Sequence, residues 1–128
     1  MRHLGIDYGT KRIGIAVSDA TGTMAFPKTV LPNDAQLLEA IGELIETYQV
    51  AVIVIGRSLD RMAVPNTVQV AIDEFVTDLT LQFGLPVHFE LEHYTTQAAT
   101  RIQGRTEKTD ASAAALILDG YLKNQKSL

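Results

Sequence analysis

The chain of 128 residues contains no cysteine and no long apolar run. Without cysteine it can form no disulfide, zinc–thiolate site, iron–sulfur cluster or thiol nucleophile, so its chemistry must come from carboxylates, histidines or hydroxyl groups. No stretch reaches the ~18 apolar residues of a membrane helix, and Arg2, His3 and Asp7 stand where a signal peptide would be apolar. With 46% hydrophobic residues, we expect one cytoplasmic domain, residues 1–128, without a membrane partner.

Positive charge is absent from two long stretches. No Lys or Arg occurs between residues 29 and 56 or between 62 and 100, and the formal net charge is −4. This acidic balance at first argues against a nucleic-acid partner, because phosphate binding needs a basic surface. Most of the cations fall near three loops, at Lys11, Arg12, Arg57, Arg61, Arg101, Arg105 and Lys108. If the fold brings these loops together they form a basic face; otherwise they are solvated surface charges.

Two apolar segments, residues 3–6 and 13–17, flank a short polar turn in the pattern of a β-hairpin. That turn consists of Gly9, Thr10, Lys11 and Arg12. Asp7 stands where the first strand should end, and we expect its carboxylate to be presented rather than buried. Gly5 and Gly9 lack a Cβ, so a phosphate or a hydrated metal ion could approach the backbone there. The alternative is an ordinary polar turn in which Asp7 accepts hydrogen bonds from nearby amides.

The rest of the pattern predicts an α/β fold. The predicted elements are a strand at 28–31, a helix at 35–48 capped by Asp34, a central strand at 50–55 ended by Gly56, a helix at 66–83 stopped by Gly84, an edge strand at 87–92, and helices at about 96–103 and 111–123. Right-handed crossovers then give a mixed five-stranded sheet flanked by helices, with three antiparallel strands first and the last two parallel to strand 1. Ligands gather beyond the carboxyl ends of parallel strands, where Asp7, Gly56 and Glu92 would lie.

The hairpin, together with the segments 92–96 and 110–118, resembles the YqgF/RuvX-type nucleases, which are also described as Holliday junction resolvases. The resemblance spans nearly the whole chain. It implies an RNase H-like fold and metal-dependent hydrolysis of phosphodiester bonds. It also implies a role in maturing the precursor of small-subunit ribosomal RNA or in resolving branched DNA. The expected partners are structured RNA, branched DNA or ribosomal precursor particles, and we expect a monomer or a weak homodimer.

The resemblance assigns the carboxylates of Asp7, Glu92 and Asp110 as catalytic residues that hold Mg²⁺ or Mn²⁺, with Asp7 as the bridging ligand. Mg²⁺ prefers such hard oxygen ligands. From the residues alone, Glu92 could instead continue a solvated strand face, and Asp110 could simply cap the last helix. The candidates for nucleic-acid contacts, which position a phosphate backbone without reading its sequence, are Lys11, Arg12, Arg57, Arg61, Thr95, Arg105 and Lys108.

The aromatic and histidine residues have weaker claims to a function. Tyr8 and Tyr94 flank proposed ligands and could stack on a base, and His93 could contact the substrate. We expect His3 and His88 to be packing or surface residues, because both lie in predicted strands.

The chain departs from the family pattern in two motif loops. Leu91, Glu92 and His93 stand where the family usually reads Asp-Glu-Arg, so the arginine beside the catalytic acid is lost. After the fourth strand, Gly56-Arg57-Ser58 stands where the family reads Gly-x-Pro, so Ser58 replaces the proline. A non-catalytic nucleic-acid-binding or ribosome-binding module that retains the fold is therefore the alternative. A nucleotide-binding domain of the actin/Hsp70 type would need a second such domain, which 128 residues cannot supply.

Overall fold

The computed structural model describes the backbone of residues 1–58, 66–92 and 107–126, and the side chains of residues 1–56, 69–90 and 111–124. In these ranges the strands are β1 (Arg2–Tyr8), β2 (Arg12–Ser18), β3 (Ala25–Pro32), β4 (Val50–Ser58) and β5 (Val87–Glu92). The helices are α1 (Leu37–Tyr48), α2 (Asn66–Phe83) and α3 (Glu107–Lys126). The helix predicted at 96–103 lies outside the described residues. None of the described helices is both long and apolar enough to cross a bilayer.

The strands form one sheet in the order β3-β2-β1-β4-β5. β1 is antiparallel to β2, and β2 is antiparallel to β3. β1 is parallel to β4, which is parallel to β5. The predicted topology is therefore confirmed, with β1 at the centre and β5 at one edge. Pro27 lies in the other edge strand, the place in a sheet where a missing N–H is best tolerated.

The two faces of the sheet are covered by different helices. On one face, Leu4 and Ile6 of β1 pack in a core with residues of α1 and α2, including Ile41 and Leu79. On the other face, side chains of β2 and β4 pack against α3, in a cluster formed by Ala16, Val52, Val54, Ala114, Ile117, Leu118 and Leu122. Successive strand residues point to opposite faces, so the parity of a β1 residue decides which helices it meets.

The approach of α3 to the sheet is closest at Gly5. A Cβ placed on Gly5 would lie 2.8 Å from Leu118 Cβ and 3.0 Å from the carbonyl oxygen of Ala114. The prediction that Gly5 leaves room for a ligand is therefore wrong, because α3 fills that space. Gly9 also has a structural role, since a Cβ there would collide with the carbonyl oxygen of Arg12 across the hairpin turn.

The ends of several elements differ from the predicted ones. Asp34 is not the N-cap of α1; Gln36 is, and Asp34 Oδ1 instead accepts a hydrogen bond of 3.0 Å from the Gln36 amide, closing the turn before the helix. β4 continues past Gly56 to Ser58 because β5 pairs with it as far as Glu92.

The last two helices show one agreement and one difference. α2 has the predicted bounds, and Gly84 ends it with a φ of 65° and an amide hydrogen bond of 3.0 Å to the Thr80 carbonyl. α3 begins at Glu107, so Asp110 lies in its first turn and is not its cap. The alternative role of Asp110 as a helix cap is therefore wrong.

The packing of α3 on Gly5 predicts a contrast between two glycine variants. Gly5→Ala should destabilise the fold by about 1–3 kcal/mol, because backbone and Cβ atoms of α3 must move to admit the methyl group. At Gly120 the described neighbour of an added Cβ would be the Glu90 side chain, with Oε2 nearest at 3.2 Å, and that flexible carboxylate can rotate away. Gly120→Ala should therefore leave stability unchanged or raise it by up to ~1 kcal/mol through helix propensity. Urea denaturation of both variants checks this; a Gly5→Ala variant as stable as the parent would contradict the close packing.

Candidate active site

Asp7 lies near the carboxyl end of the central strand, where it pairs with Gly14 of β2. It lies two residues after Gly5, and alternate residues of a strand point to the same face, so Asp7 faces the α3 side of the sheet. Its side chain is only 6% exposed, and the expectation of a presented carboxylate is wrong. The reason is that β1 does not end at Asp7 but continues through Tyr8, paired with β2. Burial of a carboxylate is costly unless hydrogen bonds or a cation offset it, which distinguishes Asp7 from an ordinary surface acid.

The helix α3 runs antiparallel to β1. At the start of the strand, the His3 ring lies 5.8 Å from the Tyr121 ring. Further along the strand, Gly5 contacts Leu118 and Ala114. The N-terminal end of α3 therefore reaches the carboxyl end of β1, where Asp7 lies. The backbone of Asp110 belongs to that end of the helix, and its side chain lies outside the described ones.

Glu92 is the last residue of β5, and its backbone pairs with Ser58 at the carboxyl end of β4. Two earlier β5 residues that point to the same face of the sheet as position 92 contact α3. The His88 ring stacks on the Tyr121 ring at 5.6 Å, and the Glu90 carboxylate accepts a hydrogen bond of 3.0 Å from Asn124. The β5 face that these residues share is thus partly covered by α3 and is not simply solvated. The Glu92 side chain itself lies outside the described residues.

The predicted metal site lies only partly within the described residues. Among the described side chains, no three His, Cys, Asp or Glu residues lie close enough together to hold a metal ion. Of the three predicted acids, Asp7 alone has a described side chain. The three-acid site therefore stays a prediction. The described backbones of Asp7, Glu92 and Asp110 lie toward the same end of the sheet.

The cationic candidates fall into three groups. Lys11 is exposed in the β1–β2 turn, and Arg12 opens β2 opposite Pro32. The backbones of Arg57, near the end of β4, and Lys108, in the first turn of α3, are described without their side chains. The remaining candidates lie outside the described residues; they are Arg61, Thr95 and Arg105. The turn, the end of β4 and the start of α3 all lie at the sheet end that holds Asp7.

Tyr8 lies on the opposite face from Asp7. Its ring is 5.1 Å from the ring of Phe75 in α2. Because consecutive strand residues point to opposite faces, Tyr8 does not share the face of the Asp7 carboxylate. That Tyr8 stacks on a base stays a prediction. Tyr94, His93 and Thr96 lie outside the described residues.

His3 and His88 lie at the amino ends of β1 and β5, away from Asp7. Both contact Tyr121, as expected for packing residues. His3 is 8% exposed, and its Nδ1 has no hydrogen-bond partner among the described residues. Burial lowers the pKa of His3 below its usual value; a hydrogen bond with the Met1 backbone opposes this shift, and the charges of the N-terminus and His88 add to it.

Comparison with known proteins decides the family. A family model described as "RuvX: Holliday junction resolvase" matches residues 1–124. The chain belongs to the RuvX family. Two RuvX relatives bear the name "Putative pre-16S rRNA nuclease". The protein from Chlorobium chlorochromatii is 34% identical, over 98% of this chain and 96% of its own. The protein from Moorella thermoacetica is 38% identical, over 95% of this chain and 94% of its own.

Solved structures agree on the fold of this RuvX protein. RuvC of T. thermophilus, in complex with a Holliday junction substrate, matches with a TM-score of 0.62 and 16% identity, covering 98% of this chain and 96% of that one. The Fowlpox virus resolvase, in complex with Holliday junction DNA, matches with a TM-score of 0.58 and 13% identity, covering 98% and 99%. The RNase H-like fold is thus confirmed, and membership in a nuclease family supports hydrolysis of nucleic acid as the class of activity.

Burial of His3 predicts a loss of stability in acid. The unfolded chain binds a proton at His3 below the ordinary pKa of 6.5, whereas the folded chain keeps the ring neutral to lower pH. The contribution of His3 is therefore complete above that value and is lost as the pH falls through it, at up to about 1.4 kcal/mol per pH unit for one proton. Urea midpoints measured from about pH 7.5 to about pH 5 should fall less steeply for His3→Phe than for the parent chain. Parallel curves would contradict this assignment.

Proposed function

We propose that this RuvX protein is a metal-dependent nuclease whose Asp7, Glu92 and Asp110 carboxylates hold Mg²⁺ or Mn²⁺ at the carboxyl end of the sheet. The observation that supports the proposal most is the buried Asp7 carboxylate on the central strand, facing the helix that carries Asp110. Carboxylate oxygens are the hard ligands that these ions prefer.

The described backbone supports a pairing of Asp7 with Asp110. From Gly5 to Asp7 the strand advances by about 7 Å. From Ala114 back to Asp110 the helix advances by about 6 Å, which is one turn and keeps the same helix face. Because Gly5 contacts Ala114, these similar advances are expected to bring the two acids to nearly the same level.

The sheet register supports the inclusion of Glu92. Position 92 has the parity of Glu90, whose side chain meets α3, the helix that Asp7 also faces. With adjacent strands about 4.8 Å apart, β5 lies laterally about 10 Å from β1. Two carboxylate side chains and two ions about 4 Å apart can span that separation.

The proposed chemistry divides between the metal and the chain. A bound ion would neutralise developing charge on the phosphate and supply an activated water. The three carboxylates would position it, and the N-terminal end of α3 would favour negative charge nearby. Lys11 and Arg57, at the same sheet end, would hold the phosphate backbone without reading its sequence.

The substrate proposed is the precursor of small-subunit ribosomal RNA, within ribosomal precursor particles. Relatives that cover almost the whole chain are named for pre-16S rRNA. Branched DNA is the second candidate, favoured by the description of the family model. A side-by-side assay on a precursor rRNA transcript and on a four-way DNA junction separates the two.

The nuclease proposal predicts that Asp7→Asn abolishes cleavage in Mg²⁺ or Mn²⁺ while the fold remains. The change removes a charge at nearly constant shape. Mutation of residues that hydrogen-bond to metal ligands typically lowers activity 10–100-fold, so loss of a ligand itself should lower the cleavage rate by over ~100-fold. Asp73→Asn, at an exposed position of α2, is the matched control and should cleave normally. Far-UV circular dichroism checks the fold. Unchanged cleavage by Asp7→Asn would contradict the site, and a parent chain that binds RNA without cleaving it would favour the non-catalytic module.

The cations proposed to hold the phosphate backbone predict a specific salt dependence of binding. Replacing Arg57 and Arg61 with Ala should weaken binding of unrelated RNA and DNA sequences alike. The log–log slope of affinity against salt should become shallower by about one unit for each phosphate that the variant no longer neutralises. Fluorescence anisotropy without divalent metal measures this slope. Lys123→Ala is the control, because it also removes a positive charge but lies in the C-terminal part of α3. If the double variant keeps the parent slope, Arg57 and Arg61 do not belong to the nucleic-acid-binding surface.

A further inference from the structure

A cleft of about 290 Å³ opens on the face of the sheet opposite Asp7, between the start of α1 and the side of α2. We refer to it as the acidic cleft. Its floor includes the apolar surfaces of Tyr8, Leu38 and Phe75, and its rim carries the carboxylates of Asp34, Glu74 and Asp78. No lysine or arginine is among its lining residues, which all belong to the described part of the chain. The cleft is thus apolar within and negative at its edge.

The charges on the rim are arranged in a way that favours a cation. Glu74 and Asp78 are four residues apart on α2, where like charges lie on one helix face and repel each other. Asp34 adds a third negative charge from the segment before α1. All three residues are exposed. A cation seated between them would relieve this repulsion, whereas the phosphates of a nucleic acid would increase it.

The floor of the cleft selects among cations. Phe75 is buried, and its ring lies 5.1 Å from the Tyr8 ring at an angle of 45°. Aromatic faces attract organic cations, and long alkyl stems pack on apolar surface while their charged ends remain at the rim. A small hydrated metal ion could use the rim but not the floor. The arginine or lysine side chain of a polypeptide matches both.

We propose that the acidic cleft is a docking site for a basic segment of a partner protein, which inserts an Arg or Lys side chain between α1 and α2. The site is separate from the proposed nuclease centre, since Tyr8 and Asp7 are neighbours on opposite faces of β1. Asn33, which also lines the cleft, donates hydrogen bonds to the carbonyls of Gly9 at 2.9 Å and Thr10 at 3.3 Å. The docked segment would therefore lie against the turn that follows the strand end holding Asp7.

The test is a fluorescence-anisotropy titration of the full chain with a labelled decapeptide of alternating Arg and Leu. The parent chain should bind it, and the variant Glu74→Gln with Asp78→Asn should bind about tenfold more weakly, as expected when two exposed charge pairs are removed. The matched control, Glu43→Gln with Glu46→Gln, removes the same charge from exposed positions of α1 outside the cleft. It should bind within about twofold of the parent. A decapeptide of alternating Glu and Leu should not bind.

A second variant tests the cleft itself. Ala71→Lys places a cation among the lining residues and should block the Arg–Leu peptide without altering the circular dichroism spectrum. Failure of the parent chain to bind the peptide would overturn the proposal, and so would equal weakening in the cleft and control variants. Loss of RNA binding instead of peptide binding would show that the cleft serves nucleic acid. RNA cleavage by the cleft variants should match the parent, so a failed nuclease assay and a failed docking assay can be told apart.

Discussion

The contact between α3 and Gly5 determines the geometry of the end of the sheet that holds Asp7. Because Leu118 and the Ala114 carbonyl occupy the volume of a missing Cβ, the helix lies directly on the central strand. Its antiparallel course then brings its first turn, with Asp110, to the carboxyl end of β1. Asp7, two residues further along β1, points to the same face of the sheet as Gly5 and is buried. A larger residue at position 5 would lift the helix and change the spacing of the acids.

The charged residues are distributed unevenly around the strand end that carries Asp7. The stretches without Lys or Arg contain α1 and α2, the helices that flank the acidic cleft, whereas Lys11, Arg57 and Lys108 lie at the carboxyl end of the sheet. The net charge of −4 is therefore no argument against binding nucleic acid, because part of it belongs to the α1 and α2 face. Because consecutive residues of β1 point to opposite faces, Asp7 faces α3 and Tyr8 faces α2.

Much of the fold could be predicted from the hydrophobic pattern, because α2 buries residues at helical intervals and β4 is a continuous buried run. The alternating sequence of β5 also marked a strand, although its Phe89 is exposed. The errors arose where packing across the chain decides the outcome. Asp7 was expected at a strand end, but pairing with β2 extends β1 through Tyr8. Gly5 was expected to leave space for a ligand, yet that space belongs to a helix more than 100 residues later in the sequence. The opposite faces of Asp7 and Tyr8 could have been deduced from strand alternation alone.

The proposed nuclease centre depends on Asp7 acting as a metal ligand together with the two acids brought to its end of the sheet. Diffraction from crystals soaked in Mn²⁺, recorded where manganese scatters anomalously, tests this most directly. We expect an anomalous peak about 2 Å from a carboxylate oxygen of Asp7, with Glu92 and Asp110 as further ligands. A peak that excludes Asp7, or full loading of Mn²⁺ at another position with Asp7 left without metal, would contradict it.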